Sequence, residues 1–404
     1  MNNLKRILSL ALASVMLVGM MVVGASAAEF NDGADINNND AVDTLVALNV
    51  IGGYDDGSFR PEGSVTRAQM AKMIAVAMNG GNEDFRGSSV GSQFTDVKDG
   101  MWYTKFINYC VSQGVINGRS ATIFDPEGNV TATETAVMVM RAMGYRNETF
   151  LNEKGVYSPA SVDALAESIG LYNDTTSLND TSVALNRQNA AQVIYNGMQV
   201  ATPEYTMTYN SEGVRTWSLK LDSNGQLTGK TMLEKNYKAT ISFAILDKSA
   251  YNAKTEEFTY TLKDDASIQA DKFNDGKGGS VKTKQDVSDL YLQKVRVITS
   301  GNLVIGISAV GNNVLGTGVW GTRKDVAAKN DNPATFDGFE YDSKDVKLFN
   351  AGTTIASPKN YDTYTLIDND GDTKIDAIVM NPVAVDTVNV VNKTQVTFGT
   401  NSTP

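Results

Sequence analysis

Four aspartates late in the sequence stand nearest to a recognisable chemistry. In YTLIDNDGDTKIDAIVM (364–380), Asp368, Asp370, Asp372 and Asp376 fall at positions 1, 3, 5 and 9 of a calcium-type loop, and Lys374 would lend a carbonyl at position 7. The fit is incomplete. Thr373 stands where such a loop carries glycine, Val379 replaces the bidentate acid at position 12, and the flanks YTLID and KIDAIVM read as strands. A β-hairpin closed by Asn-Asp-Gly-Asp accounts for every residue without an ion. The expected state is therefore a hairpin that requires no cofactor, with weak Ca²⁺ binding as the alternative.

A second chemistry lies at three helix openings, GSVTRAQMAKMI (63–74), GNVTATETAVMV (128–139) and VALNRQNAAQVI (183–194). Thr66 with Gln69, and Thr131 with Glu134, have the spacing of a capping box, and Asn186 is a good N-cap. A helix N-terminus carries unpaired N–H groups and partial positive charge, which favours an anion. Arg67 and Arg187 fall at the first helical position, where a guanidinium would add planar donors suited to a carboxylate. The second copy has Ala132 at that position, which predicts a weak or merely structural junction there.

Most catalytic chemistry is excluded. The chain has no histidine, so Ser-His-Asp, Cys-His and histidine-metal sites cannot be built. Cys110, the lone cysteine, sits in an apolar helical run and reads as a buried small hydrophobe. No phosphate loop or nucleophile elbow is present. A two-carboxylate glycosidase is compatible with the acidic composition, but only Trp217 and Trp320 are available to line a sugar cleft in the second half. The reading is of a protein that is not an enzyme.

The elements that position the arginines are repeated. Residues 41–78 align without a gap on 106–143, and 14 of these 38 positions are identical. Each copy has a helix (AVDTLVALNVI; FINYCVSQGVI), a turn at Gly53 or Gly118, a loop (GSFRPEG; TIFDPEG) and a second helix. Met70, Met73, Ile74 and Ala77 form that helix's core stripe. Pro61 and Pro126 predict an extended residue before each of them. A degenerate third copy begins at SVDALAESIGL (161–171) and lacks the F-x-P-E-G loop.

GGYDDGSFRPEGSVTRAQMAKMI, and the run from FTDVKDGMW through FDPEGNVTATE, resemble the S-layer homology (SLH) domain. The resemblance covers roughly residues 30–199. It implies three repeats in an all-α bundle with pseudo-threefold symmetry, whose grooves bind an acidic, often pyruvylated, secondary cell-wall polysaccharide. It also implies that Arg67 and Arg187 are the main ligand contacts, with Asp56 and Gly57 in the loop and Trp102 as a sugar-stacking surface. The location implied is the cell wall or surface of a bacterium of Gram-positive type.

The remaining expectations concern the ends and the second half. Lys5 and Arg6, an apolar run from Ile7 to Gly24 and Ala25-Ser26-Ala27 read as a signal peptide over 1–27. Its removal leaves 33 basic and 46 acidic residues, a net charge of −13, and no membrane attachment. So acidic a chain does not suit nucleic acid. The domain plan is repeats at 28–80, 92–145 and 156–200, then a β-rich region over 201–404 in one or two antiparallel, sandwich-like domains. Strands are expected at TISFAIL, EFTYTLK, KVRVITS, NLVIGIS and TVNVVNKTQVTF. This half is expected to serve as a structural module with lateral self-association. The alternatives are a glycan-active enzyme or an adhesin in 201–404.

Overall fold

A computed structural model of the protein describes residues 30–85, 90–152, 154–265, 268, 271–310, 314–322, 335–341 and 362–380, with backbone alone at 348–350, 353–354, 381, 388–391 and 396–398. The expected signal peptide lies outside the described residues. The chain divides into two compact units, 1–240 with 298–306, and 241–297 with 307–404. Among the described residues no helix is long and apolar enough to cross a membrane.

The first unit holds six α-helices among the described residues: α1 (Asn39–Ala47), α2 (Arg67–Met78), α3 (Thr104–Ser112), α4 (Ala132–Met143), α5 (Pro159–Ser168) and α6 (Arg187–Gln199). Both expected capping boxes form, Thr66 with Gln69 and Thr131 with Glu134, and the Asn186 side chain accepts from Asn189 N–H. Met70, Met73, Ile74 and Ala77 are buried, as is Cys110.

The segments just before α2, α4 and α6 bond to one another in a closed ring. Val65 N–H donates to Leu185 O (3.1 Å), Leu185 N–H to Val130 O (2.8 Å) and Val130 N–H to Val65 O (3.0 Å). The helix starts are then capped by another repeat's loop. Arg67 N–H donates to Gly128 O, Ala68 N–H to Pro126 O, Thr133 N–H to Thr181 O, and Gln188 N–H to Pro61 O. Beyond the N–H groups capped within each copy, further orphan N–H groups of these helices thus find partners only when the three copies assemble.

The loops before α2 and α4 differ from expectation. Arg60 and Asp125, which precede Pro61 and Pro126, are not extended but left-handed, at φ 59° and 64°. Two aspartates impose this bend. Asp32 accepts from Phe59 and Arg60 N–H (2.7 Å each), and Asp96 accepts from Phe124 and Asp125 N–H (2.9 and 2.7 Å). Two carboxylate–amide bonds outweigh the local preference of a pre-proline residue.

Beyond α6 a hairpin of β1 (Tyr205–Tyr209) and β2 (Arg215–Leu219) is followed by a further capping box, in which Thr231 N–H donates to Glu234 Oε2 and Glu234 N–H to Thr231 Oγ1. A five-stranded sheet then comprises β3 (Thr240–Asn252), β4 (Glu257–Lys263), β5 (Gly279–Thr283), β6 (Lys294–Ser300) and β7 (Leu303–Ala309), ordered β5-β4-β3-β6-β7. A second contains β8 (Val314–Val319), β9 (Leu348–Asn350), β10 (Thr353–Thr354), β11 (Thr363–Ile367) and β12 (Ala377–Asn381), ordered β10-β9-β12-β11-β8. It is mixed rather than purely antiparallel. β9 runs parallel to β12, because the chain comes back through β11 before entering β12. Strands Val388–Val391 and Val396–Phe398 pair antiparallel within TVNVVNKTQVTF.

Candidate anion-binding groove

Arg67 leaves the start of α2 and enters the loop of the second repeat. Its Nε donates to Phe124 O (2.8 Å) and its Nη2 to Asn117 O (2.7 Å), with the guanidinium over the Phe124 ring at 4.6 Å. Only 3 % of the residue is exposed. Arg187 enters the first repeat's loop in the same manner. Its Nη2 donates to Gly52 O (2.7 Å), it lies 5.0 Å from the centroids of both Tyr54 and Phe59, and its buried Nε has no hydrogen-bond partner. Two arginines expected as ligand contacts are therefore buried against a neighbouring repeat, Arg67 donating to two of its backbone carbonyls and Arg187 to one.

The third junction is built differently. With Ala132 in the arginine position, Thr133 Oγ1, Tyr172 Oη and Thr181 Oγ1 all donate to the Asp163 carboxylate (2.7–3.0 Å). A network of neutral donors on one carboxylate fills this junction in the arginine's place.

An open groove of about 320 Å³ remains where the first two repeats meet the third. It is lined by Arg67, by Asn117, Gly118 and Arg119 of the turn after α3, by Glu134, Val137, Met138 and Arg141 along one face of α4, and by Tyr157. Three guanidiniums converge there. Arg119 pairs with Glu134 and lies 3.7 Å from Asp125. Arg67 and Arg141 have no carboxylate within ion-pair distance among the described residues. Arg141 Nε instead donates to Asn147 Oδ1 (3.0 Å), and its guanidinium is 5.7 Å from the Phe150 ring centroid. Burial holds both the Arg67 and the Arg141 guanidinium below the usual arginine value. A desolvated cation without a counter-ion is costly, so such a groove favours an anion.

Arg119, Arg141 and Tyr157 escape the repeat-based reading. Arg141 is legible in retrospect, because Glu134, Val137, Met138 and Arg141 recur at i, i+3, i+4 and i+7. Arg119 aligns with Tyr54 of the first copy and so falls outside the shared pattern.

The other expected site residues lie elsewhere. The Asp56 carboxylate is bound inside its own loop by Ser58 N–H, Ser58 Oγ and Arg60 Nη2, and the Ser58 hydroxyl together with Arg60 holds it well below the usual range. Gly57 takes φ 80°, and its carbonyl accepts from Asn31 N–H. Trp102 is 50 % exposed, edge-on to Tyr103 and outside the groove lining.

In the second unit, β11 and β12 form the expected hairpin. Asp368, Asp370 and Asp376 each bring a carboxylate oxygen within 4.8 Å of the others, while Asp372 pairs with Lys374 at 2.9 Å. The Asp368 oxygens accept from the N–H groups of Asp370, Gly371 and Thr373. Thr373, at the glycine position of the loop pattern, is left-handed at φ 69°.

Helix openings that plug into neighbouring loops define a repeat protein assembled around its helix N-termini. The family model for the S-layer homology domain matches residues 29–71 and 93–131, and this chain is an S-layer homology domain-containing protein. It is 25 % identical over 207 residues to "Middle cell wall protein" of Brevibacillus brevis, covering 51 % of this chain and 18 % of that protein. With "Cellulosome-anchoring protein" of Acetivibrio thermocellus it shares 29 % identity over 103 residues, 26 % of this chain and 23 % of the relative. With "Exoglucanase XynX" of Acetivibrio thermocellus it shares 28 % over 177 residues, 41 % of this chain and 16 % of the enzyme. The chain thus spans less than a quarter of each of these relatives.

Proposed function

We propose that the chain anchors an exported bacterial surface protein non-covalently to an acidic, pyruvylated secondary polysaccharide of the cell wall. In this reading the three repeats form a pseudo-threefold bundle, and the β-rich region is a sandwich-like structural module that faces outward and associates laterally. The observation that carries it is the groove itself, in which Arg67 and Arg141 converge without a carboxylate to neutralise them. The similarity to proteins named for the cell wall and for anchoring supports the same conclusion. A polymer gains avidity by engaging several weak sites, so a single groove of modest affinity suffices when many copies bind one wall.

The test is co-sedimentation of the chain with sacculi of the bacterium that produces it, before and after hydrofluoric acid strips the secondary polymer. Binding that disappears with the polymer is expected. Equal sedimentation with stripped sacculi refutes the reading. The similarity to an exoglucanase favours one second reading, a glycan-active enzyme anchored by the same repeats. Release of reducing ends from wall polysaccharide by the chain would establish it, and the structural reading predicts none.

A further inference from the structure

We infer that Arg141 is the residue that holds the anion in this groove, that Glu134 limits the groove's affinity by neutralising Arg119, and that Arg67 is a positioning residue. The inference rests on the anchoring reading and departs from the site that the family resemblance implies, since it moves the contact from the helix opening to the middle of α4.

The three guanidiniums that line the groove are not equivalent. Arg67 has donated both Nε and Nη2 to carbonyls of the second repeat and is nearly inaccessible. What it does is hold the carbonyls of Phe124 and Asn117, and through Asn117 it fixes the turn Asn117–Arg119 that forms part of the groove's wall. Arg119 is the most open, with 40 % of its side chain exposed, but it is paired with Glu134 and lies beside Asp125. Two carboxylates offset its charge before any ligand arrives. Arg141 is half-buried and has one neutral partner, Asn147, on Nε. Its two terminal nitrogens make no hydrogen bond to any described residue, so the planar fork that matches a carboxylate is free. Tyr157 lines the same groove and is half exposed, which puts an aromatic ring in the groove with the cation. A carboxylate on a pyranose ring satisfies both groups, the fork taking the charge and the ring face taking the sugar.

Glu134 acts in the opposite direction. It is the N3 residue of the α4 capping box, where its side chain accepts from Thr131 N–H. The aligned residue of the first repeat is Gln69, which makes the same cap with no charge. The cap therefore does not need the carboxylate. In this groove the carboxylate competes with an incoming anion for Arg119.

The experiment measures binding of the full chain to sacculi of the producing bacterium, intact and stripped with hydrofluoric acid, alongside the unfolding temperature of each variant. Arg141→Gln keeps a polar partner for Asn147 and is expected to weaken binding to intact sacculi by about tenfold to a hundredfold at unchanged unfolding temperature. Glu134→Gln, which reproduces the cap of the first repeat, is expected to tighten binding roughly two- to fivefold. Arg67→Lys is expected to lower the unfolding temperature, with any loss of binding restored below that temperature. If Arg141→Gln binds intact sacculi as tightly as the unmodified chain, while stripped sacculi bind neither, the inference is overturned and the anchoring reading stands. The inference is equally overturned if Glu134→Gln weakens binding, or if Arg67→Lys abolishes it at unchanged unfolding temperature. If the unmodified chain binds stripped and intact sacculi equally, the anchoring reading fails and this inference with it.

Discussion

Arg67→Ala tests whether an arginine at the opening of a helix is a contact or a staple. The substitution removes two charge-assisted hydrogen bonds, Nε to Phe124 O at 2.8 Å and Nη2 to Asn117 O at 2.7 Å. Bonds of this kind contribute roughly 1.5–3 kcal/mol each. It also removes the cation from the Phe124 ring, a contact worth about 1 kcal/mol. Against these losses stands the relief of a buried charge with no carboxylate within ion-pair distance, worth about several kcal/mol. We expect a net loss of about 2–4 kcal/mol, because the two carbonyls and the ring are left facing a void that water fills poorly. For a unit of this size that is about 5–12 °C in Tm. The assay is calorimetry of the full chain at neutral pH, following the transition of the helical unit. Arg67→Met serves as a partner variant that fills the space without restoring the donors. A Tm within about 2 °C of the unmodified chain, or an Arg67→Met variant more stable than it, would show that the guanidinium is a burden carried for the ligand and would refute the staple.

Four further outcomes are expected. Ala132→Arg, which supplies the arginine that the second copy lacks, should destabilise by at least about 2 kcal/mol, since Ala132 is fully buried and its junction is already filled by the Asp163 network. Chemical denaturation that shows no loss would mean the junction can open. At low pH the Asp32 clamp should fail. Burial pushes the Asp32 carboxyl up, but donation from Phe59 and Arg60 N–H outweighs it and the folded value lies below the ordinary one. A carboxyl so lowered stabilises the fold above about pH 4 and loses that contribution as the pH falls through the folded value. Stability should thus be flat from neutral pH to about pH 5 and fall below pH 4, and Asp32→Asn should flatten that fall; an identical acid profile in the variant sinks the argument. Thr373→Gly should stabilise the β11–β12 hairpin by about 0.5–1 kcal/mol, because a β-branched residue is held at φ 69°. The Asp368 oxygens already accept three backbone N–H groups, so Ca²⁺ is expected to move the unfolding temperature by no more than about 1 °C, and a rise of several degrees that Asp370→Asn abolishes would reverse that conclusion.

What the sequence disclosed and what it hid divide along a physical line. The caps at Thr66, Thr131 and Asn186 are local, set by residues three apart, and each is where its spacing requires. Strands β4 and β6 coincide with EFTYTLK and KVRVITS for the same reason, since alternation is a property of neighbours along the chain. The left-handed bends at Arg60 and Asp125 were not legible, because the carboxylates that impose them lie 28 and 29 residues away. The parallel pairing of β9 with β12 was hidden likewise, being fixed by the order in which strands enter the sheet. The arginines illustrate the point most sharply. Sequence correctly places Arg67 and Arg187 at helix openings, and a helix opening does attract electron-rich partners. What sequence cannot show is that carbonyls of the neighbouring repeat, those of Phe124, Asn117 and Gly52, accept from these guanidiniums. In the reading proposed above, the guanidinium left without a carboxylate partner once the repeats cap one another is one the repeat does not share: Arg141 stands where the first copy has Val76, whereas Arg119, which stands where it has Tyr54, is paired with Glu134. In a repeat protein of this kind the shared motif builds the scaffold, and binding is to be sought at the positions where the copies disagree.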